Sequence, residues 1–287
     1  MPVRARDDRN RVVSLIGPPR RVVSLVPSDT LNVCALGLGS TLVGRTDYCV
    51  LEPPYDVSRV PSVGGTKNPR VKDILELAPD LVLANQEENT RSDLEELALA
   101  GVKVFVAFPK RVIDGLAHVA RLARLFGVER DASVRDLVKR GYDALGEAEA
   151  KARPSRRRVF CPIWMDPLMT IHGSTFISDM LRVAGADNVF ADRERRYPLA
   201  ADLGRAKSVE QEGRDVRYPR VTLDEVRARE PELVLLPDEP HPFSEQDAEV
   251  FRAIVKPERV RFVSGRDLCW YGVTSVEGIG RVRALVS

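Results

Sequence analysis

Residues Glu129–Ala152 read ERDASVRDLVKRGYDALGEAEAKA, and their reading decides the fold. Apolar side chains recur at Val134, Leu137, Val138, Tyr142, Leu145 and Ala148, one stripe at helical spacing. The other positions are mostly charged, and no proline interrupts them. Gly141 and Gly146 each weaken the helix by roughly 1 kcal/mol against alanine. A helix over 129–152 would span about 33–36 Å, enough to run along a whole domain.

What flanks this stretch makes it central. Upstream, Asp73–Leu83 reads DILELAPDLVL; downstream, Glu225–Leu235 reads EVRAREPELVL. Each has an acid, a branched apolar residue, four more residues, proline, a second acid and Leu-Val-Leu. Pro-Arg-Val precedes each, at Pro69–Val71 and Pro219–Val221. Two matches in the same order, on either side of one helix, predict two related halves. The organisation expected is an N-terminal lobe over 1–128, a connecting helix over 129–152 and a C-terminal lobe over 153–287.

A chain of 287 residues is long enough for two modest domains. The 44 Lys and Arg nearly balance the 42 Asp and Glu, so no overall field draws the chain to nucleic acid or an anionic membrane. No stretch approaches the roughly 20 apolar residues of a membrane span. The densest basic run, Arg153–Arg158, reads as a solvated linker. The first 19 residues, MPVRARDDRNRVVSLIGPP, lack the apolar core of about 7–15 residues found in a secretory signal peptide. This stretch leaves two expectations open, a cytoplasmic protein or one whose export signal lies elsewhere.

Four cysteines stand far apart and form no CxxC, so no structural zinc or other metal site is expected. Cys34 reads as a small core residue of a helix. Cys49, Cys161 and Cys269 follow strands or precede turns, within expected reach of a ligand.

Strands are expected at 21–26, 42–44, 81–84 and 102–107, then at 158–163, 189–190, 233–236 and 260–263. Helices are expected at 29–36, 71–77, 91–100 and 113–126, then at 175–183, 223–229, 245–254 and 275–285. Ser28 and Ser174 are placed as helix N-caps. Residues 1–20 read as an extended arm, and 164–169 as a loop. This alternation predicts an α/β fold with mainly parallel sheets covered on both faces. Ligands bind outside the carboxyl ends of the strands in such sheets. That rule collects Ser28, Tyr48, Thr66, Asn85 and Phe108 from the first half. From the second it collects Trp164, His172, Tyr218, Asp238, Trp270 and Tyr271. The expected cleft is aromatic, mildly polar and poor in fixed charge.

No G-x-S-x-G, P-loop or H-E-x-x-H is present. Gly37-Leu38-Gly39 ends a helix and does not open one. His118 follows the apolar pattern of its helix, and His241 reads as a loop residue. His172 follows a strand and precedes a Gly-Ser helix start; a structural hydrogen bond and an axial contact to a bound metal complex are both open. An enzyme on this chain would draw on Asp166, His172 and Cys161 or Cys269, but no nucleophile–base pair is apparent, and no catalytic residue is assigned.

The stretches Arg21–Ser28 (RVVSLVPS), Gly44–Pro54 (GRTDYCVLEPP), Val63–Pro69, Ile74–Ala84 (ILELAPDLVLA), Gly185–Phe190 and Tyr218–Leu235 resemble the class III periplasmic substrate-binding proteins. These helical-backbone metal receptors serve ABC importers of cobalamin, haem and ferric siderophores. The chain is most similar to the cobalamin-binding branch. The resemblance implies two Rossmann-like lobes joined by one long rigid helix. It implies an extracytoplasmic, monomeric, non-enzymatic protein without an intrinsic cofactor, which holds cobalamin, haem or a ferric siderophore between its lobes. Tyr48 and Tyr218 match aromatic positions of that branch. Thr66 and Asn85 stand where it carries tryptophans, so a more polar pocket is implied. Tyr48, Trp164, Tyr218, Trp270 and Tyr271 would supply its walls, and Thr66, Asn85 and His172 its polar contacts. Acids on each lobe meet permease arginines in the family. Asp73, with Lys72 on the nominal site, and Asp224 or Glu225 lie at or beside those positions. A cytoplasmic carrier or sensor without a transporter, and a cofactor-modifying enzyme, are the alternatives.

Overall fold

The computed structural model describes residues 2–151, 156–210 and 212–287. Ala152 of the expected helix and residues 153–155 of the expected linker lie outside these. The chain forms two compact units. Unit 1 is Met1–Pro109, Ile113–Tyr142 and Tyr271–Val273; unit 2 is Lys110–Val112, Asp143–Trp270 and Thr274–Ser287.

The amino-terminal residues of unit 1 do not form a simple arm. Val3–Arg6 (β1) and Val12–Leu15 (β2) pair antiparallel, with Arg6 opposite Val12. Ala5 and Val13 point from this hairpin into the core of the unit. Val22–Ser24 (β3), Pro27–Ala35 (α1), Leu42–Arg45 (β4), Val71–Glu76 (α2), Leu81–Asn85 (β5), Arg91–Leu99 (α3), Val104–Ala107 (β6) and Val112–Phe126 (α4) then alternate. The four later strands form one parallel sheet in the order β4-β3-β5-β6. Strands β3, β5 and β6 are buried along their whole length, which is why they read as unbroken apolar runs. Ser28 is not a cap. Helix α1 starts two residues earlier than expected, with Pro27 at its first residue and Val26 before it.

The long helix, Ala132–Ala150 (α5), is 19 residues and spans about 28 Å. It starts three residues later than expected, because Val128–Asp131 closes a turn in which the Asp131 N–H donates to the Val128 carbonyl. Val134 and Leu145 are buried on its apolar stripe. The helix belongs to unit 1 up to Tyr142 and to unit 2 from Asp143.

Unit 2 begins with Arg157–Phe160 (β7), Pro162–Met165 (β8) and Leu168–Thr170 (β9). The expected loop at 164–169 is the antiparallel β8–β9 hairpin. Phe176–Ala184 (α6) follows, capped by Thr175, whose hydroxyl accepts the Ser178 N–H; Ser174 instead serves His172. Ala186–Asn188 (β10) replaces the strand expected at 189–190. The remaining elements are Leu199–Asp202 (α7), Leu223–Ala228 (α8), Leu233–Pro237 (β11), Glu245–Arg252 (α9), Val260–Val263 (β12), Gly265–Cys269 (α10) and Ser275–Val286 (α11). Helices α7 and α10 are too short to show a periodic pattern in sequence. The parallel sheet has the order β10-β7-β11-β12.

Numbered by appearance, both parallel sheets wind 2-1-3-4, and the repeat extends to single hydrogen bonds. In unit 1, Asp80 accepts the backbone N–H groups of Arg20 and Arg21, and the Arg21 guanidinium donates to the Leu77 and Ala78 carbonyls that end α2. In unit 2, Glu232 accepts the Arg158 N–H, and the Arg158 guanidinium donates to the Arg229 and Glu230 carbonyls that follow α8. Ala78 and Glu230, each before the shared proline, both hold a left-handed backbone, at φ +44° and +46°.

Candidate functional site: the strand ends of each unit

The winding puts a topological switch point between β3 and β5 in unit 1, and between β7 and β11 in unit 2. Ligands of open α/β sheets bind outside the carboxyl ends at such points.

In unit 1, hydrogen bonds lace three loops over the β3–β5 end. The Asn89 side chain donates to the Leu25 carbonyl at 3.1 Å and to the Thr66 carbonyl at 2.9 Å, and accepts the Asn85 N–H at 2.8 Å. The Asp47 N–H donates to the Gly64 carbonyl. Gly65 passes so close to Asn68 that a Cβ there would collide with its side chain, with the Tyr48 ring 3.5 Å away. Tyr48, Thr66 and Asn85 are thereby brought together. Their exposures differ, however. Tyr48 is 64% exposed, whereas Thr66 and Asn85 are buried. The Asn85 side-chain Oδ1 accepts the Glu87 and Glu88 N–H groups and folds its own loop. Glu88, on the same rim, is exposed as a residue, but its carboxyl end is hemmed in by neighbouring atoms. This desolvation raises it above the ordinary range, against the pull of Lys67 and a hydrogen bond with Thr66. Sequence reading missed it, because an acid in an N-Q-E-E-N run looks like a solvated turn.

Beneath these loops lies a buried polar cluster. Asp29, on α1, accepts from His118 Nε2 at 2.8 Å, from the Tyr271 hydroxyl at 3.1 Å and from Asn32 Nδ2 at 3.2 Å. Tyr271 is held well above the ordinary phenol range, first by burial and then by the Asp29 charge, although an Asn85 hydrogen bond pulls the other way. Tyr271 was expected as a cleft wall; it is buried and serves as a donor inside unit 1. His118 is packed against Phe105.

In unit 2, Trp164 is 43% exposed, and its indole N–H donates to the Asp166 carbonyl at 3.0 Å. The His241 ring packs on it at 5.4 Å and on Phe243 at 4.6 Å. This aromatic row was not foreseen; its only sequence signal is the Pro-His-Pro-Phe run after β11. His172 and Tyr218 lie on neighbouring extended segments, joined where the His172 N–H donates to the Arg217 carbonyl at 2.8 Å. His172 Nδ1 accepts the Ser174 N–H, which leaves Nε2 to carry the ring proton of the neutral side chain. Trp270 is 5% exposed, with the Arg266 guanidinium over its ring. Asp238 accepts the Gly265 N–H and holds the start of α10.

Two expectations for the cysteines are corrected. Cys49 and Cys161 are fully buried, out of reach of a ligand. Burial pushes the Cys161 thiol up to about 12, so it is no nucleophile. Cys34 is a core residue, as its helical position implied. Among the described residues, no three His, Cys, Asp or Glu side chains gather as metal ligands, and no helix is long and apolar enough to cross a membrane.

The three acids of the helix starts differ. Asp73, on α2, pairs with Arg70. Glu225, at the equivalent place on α8, pairs with buried Arg193. Asp224 pairs with Arg227 and is 91% exposed at its side chain.

The chain has relatives. The vitamin B12-binding protein of Yersinia pestis (strain Pestoides F) is 26% identical over 230 residues, covering 78% of this chain and 73% of that protein. Among solved structures, the periplasmic vitamin B12-binding protein BtuF of Vibrio cholerae superposes with a TM-score of 0.71 at 18% identity, over 94% of this chain and 97% of that one. The periplasmic heme-binding protein RhuT of Roseiflexus sp. RS-1 gives 0.73 at 18% identity, over 93% and 97%. A periplasmic binding protein of Veillonella parvula gives 0.75 at 18%, over 99% and 97%. At these identities the structures speak for the fold. Residues 22–237 match the family described as periplasmic binding protein, three quarters of the chain, and the protein belongs to that family.

Proposed function

We propose that this protein captures a cobalamin-like or other metal-chelate ligand outside the cytoplasm and delivers it to an ABC importer. The observation that carries this reading is Tyr48, a large aromatic side chain left exposed on loops that are otherwise laced together at the switch point of unit 1. Exposed Trp164, on its aromatic row, offers a second such surface in unit 2. Rigid loops bearing exposed rings suit a large, flat, partly apolar ligand. The named relatives and the family support the same reading.

The ligand-contacting residues in this proposal are Tyr48, Trp164, His172 and Tyr218, with Glu88 added on the rim. Thr66, Asn85, Trp270 and Tyr271 act behind them as supports. Asp73 and Asp224 are the docking acids offered to the permease, whereas Glu225 is engaged with Arg193. The protein does no chemistry on its ligand in this reading.

The test is a titration of the purified protein with cyanocobalamin, haemin and ferric siderophores, followed by tryptophan fluorescence and visible absorption. Saturable binding of one of them at about micromolar affinity or tighter is the expected result. No saturation with any would overturn the proposal.

A further inference from the structure

The segment between β10 and α8 carries arginines at 193, 195, 196, 205, 214, 217 and 220. Two of them are accounted for. Arg193 is buried and donates to Asp202, Glu225 and the Asp202 and Glu194 carbonyls. Arg217 makes a two-point pair with Asp215, at 2.9 and 2.6 Å.

Three others make no such two-point pair, although the Asp215 carboxylate also lies within the field of Arg195. The Arg195 and Arg214 guanidiniums both lie over the Tyr197 ring, at 4.6 and 4.9 Å from its centroid. Arg220 reaches Asp202 only at 3.8 Å, and that carboxylate already accepts from Arg193 and from the Arg196 and Arg220 backbone N–H groups. Burial and the nearby Arg195 charge lower the Arg220 pKa, which places the two cations within each other's field. Arg195 Nε and Arg220 Nε are buried without a hydrogen-bond partner among the described residues. Buried donors without acceptors are costly, and like charges held close add to that cost.

The frame around them is fixed. The Tyr197 hydroxyl donates to the Asp215 carbonyl at 2.8 Å, and the Arg195 N–H to the Val216 carbonyl at 2.7 Å. Guanidiniums on a fixed ring match the planar geometry of a carboxylate or phosphate. With a net charge of only +2 on the whole chain, one small anionic group fits better than a polyanion. Arg217, next to this cluster, carries the carbonyl that accepts the His172 N–H, and Tyr218 follows it. The cluster therefore borders two of the ligand residues proposed for unit 2.

We propose that Arg195, Arg214 and Arg220 around Tyr197 form an oxyanion site that takes a carboxylate or phosphate group. The group comes either from a substituent of the bound chelate or from a free anion. The first source rests on the binding-protein reading; the second does not.

The experiment has two arms. In the first, inorganic phosphate is titrated calorimetrically into the wild type, Arg195→Gln/Arg214→Gln, Arg195→Lys/Arg214→Lys, and Arg196→Gln as a nearby control. Saturable binding on the order of millimolar is expected, weakened about 10-fold or more in the Gln pair. The Lys pair, which keeps the charge but loses the planar fork, should bind more weakly than the wild type and more tightly than the Gln pair, and the control should bind as the wild type does. Melting curves show whether each variant is folded. In the second arm, haemin is compared with its dimethyl ester, in which both carboxylates are blocked. Preference for the acid in the wild type, lost in the Gln pair, assigns the site to the chelate. Phosphate binding without such preference, or with no chelate bound at all, assigns it to a free anion. Absence of both phosphate binding and acid preference in the folded wild type overturns the site.

Discussion

The Tyr271 hydroxyl donates to Asp29 at 3.1 Å across 242 positions of sequence. It is one of three donors on a carboxylate with no exposed surface, and the segment Tyr271–Val273 belongs to unit 1, where Asn32 also bonds the Tyr271 carbonyl and the Val273 N–H. Gly272, at φ +94°, lets the chain pass over Asn32, where a Cβ would collide with the amide. Removing one donor from a buried carboxylate leaves it under-satisfied. Tyr271→Phe should therefore cost about 1–3 kcal/mol in urea unfolding. A variant as stable as the wild type would show that Asp29 is satisfied without the phenol.

The two tryptophans separate binding from stability. Trp164 is exposed, so Trp164→Ala should weaken ligand affinity while leaving the melting temperature within a few degrees of wild type. Trp270 is buried, and Trp270→Ala should cost about 3–5 kcal/mol. Fluorescence titration beside thermal melting measures both. Equal behaviour of the two variants would contradict their placement.

Asp8 predicts an acid limb in the stability profile. Burial opposes its ionisation, but Arg121 and the Phe108 N–H outweigh it and hold the carboxyl below the ordinary range. A group depressed in the folded state contributes stability above its unfolded pKa, and that contribution is lost as pH falls through the folded value. Melting temperature should fall as pH drops below the ordinary carboxylate range of about 4, and less steeply in Asp8→Asn.

Thiol chemistry gives a quick check of packing. Cys34, Cys49 and Cys161 are buried, and burial pushes the first to about 11 and the third to about 12. Native protein at pH 8 should react with an aromatic disulfide reagent at Cys269 alone, and at all four cysteines in denaturant. Fast reaction of more than one thiol in the native state would refute the burial.

Ala78 and Glu230 hold left-handed backbones that cost an L-residue about 1–2 kcal/mol. Glycine relieves that cost. Ala78→Gly and Glu230→Gly should each raise stability by up to about 1 kcal/mol, read as a shift in the denaturation midpoint.

How much of this was legible in sequence varies from place to place. The Leu-Val-Leu runs announced β5 and β11 because strands buried on both faces carry unbroken apolar stretches, and the duplicated Pro-acid pairs gave away the two-fold plan. The β1–β2 hairpin escaped because each strand is only four residues long and buries one small side chain, Ala5 or Val13, with Val3 and Leu15 only partly covered. At the site, ring positions such as Tyr48 and Trp164 could be placed by their distance from a strand end. Burial could not. Asn85, Trp270 and Tyr271 look like rim residues until Asn89, Arg266 and Asp29 are seen to hold them; the first two partners lie only four residues away, and Asp29 is 242 positions distant.

The matching 2-1-3-4 windings have a price during folding. Strands β5 and β11 offer nearly the same apolar edge, each delivered by the same arginine-capped turn. An unfinished sheet in one half can therefore accept the strand meant for the other, within one chain or between two. Refolding at high protein concentration should then show swapped dimers and slow, concentration-dependent recovery, from kinetic traps that a chain of unlike halves would not meet.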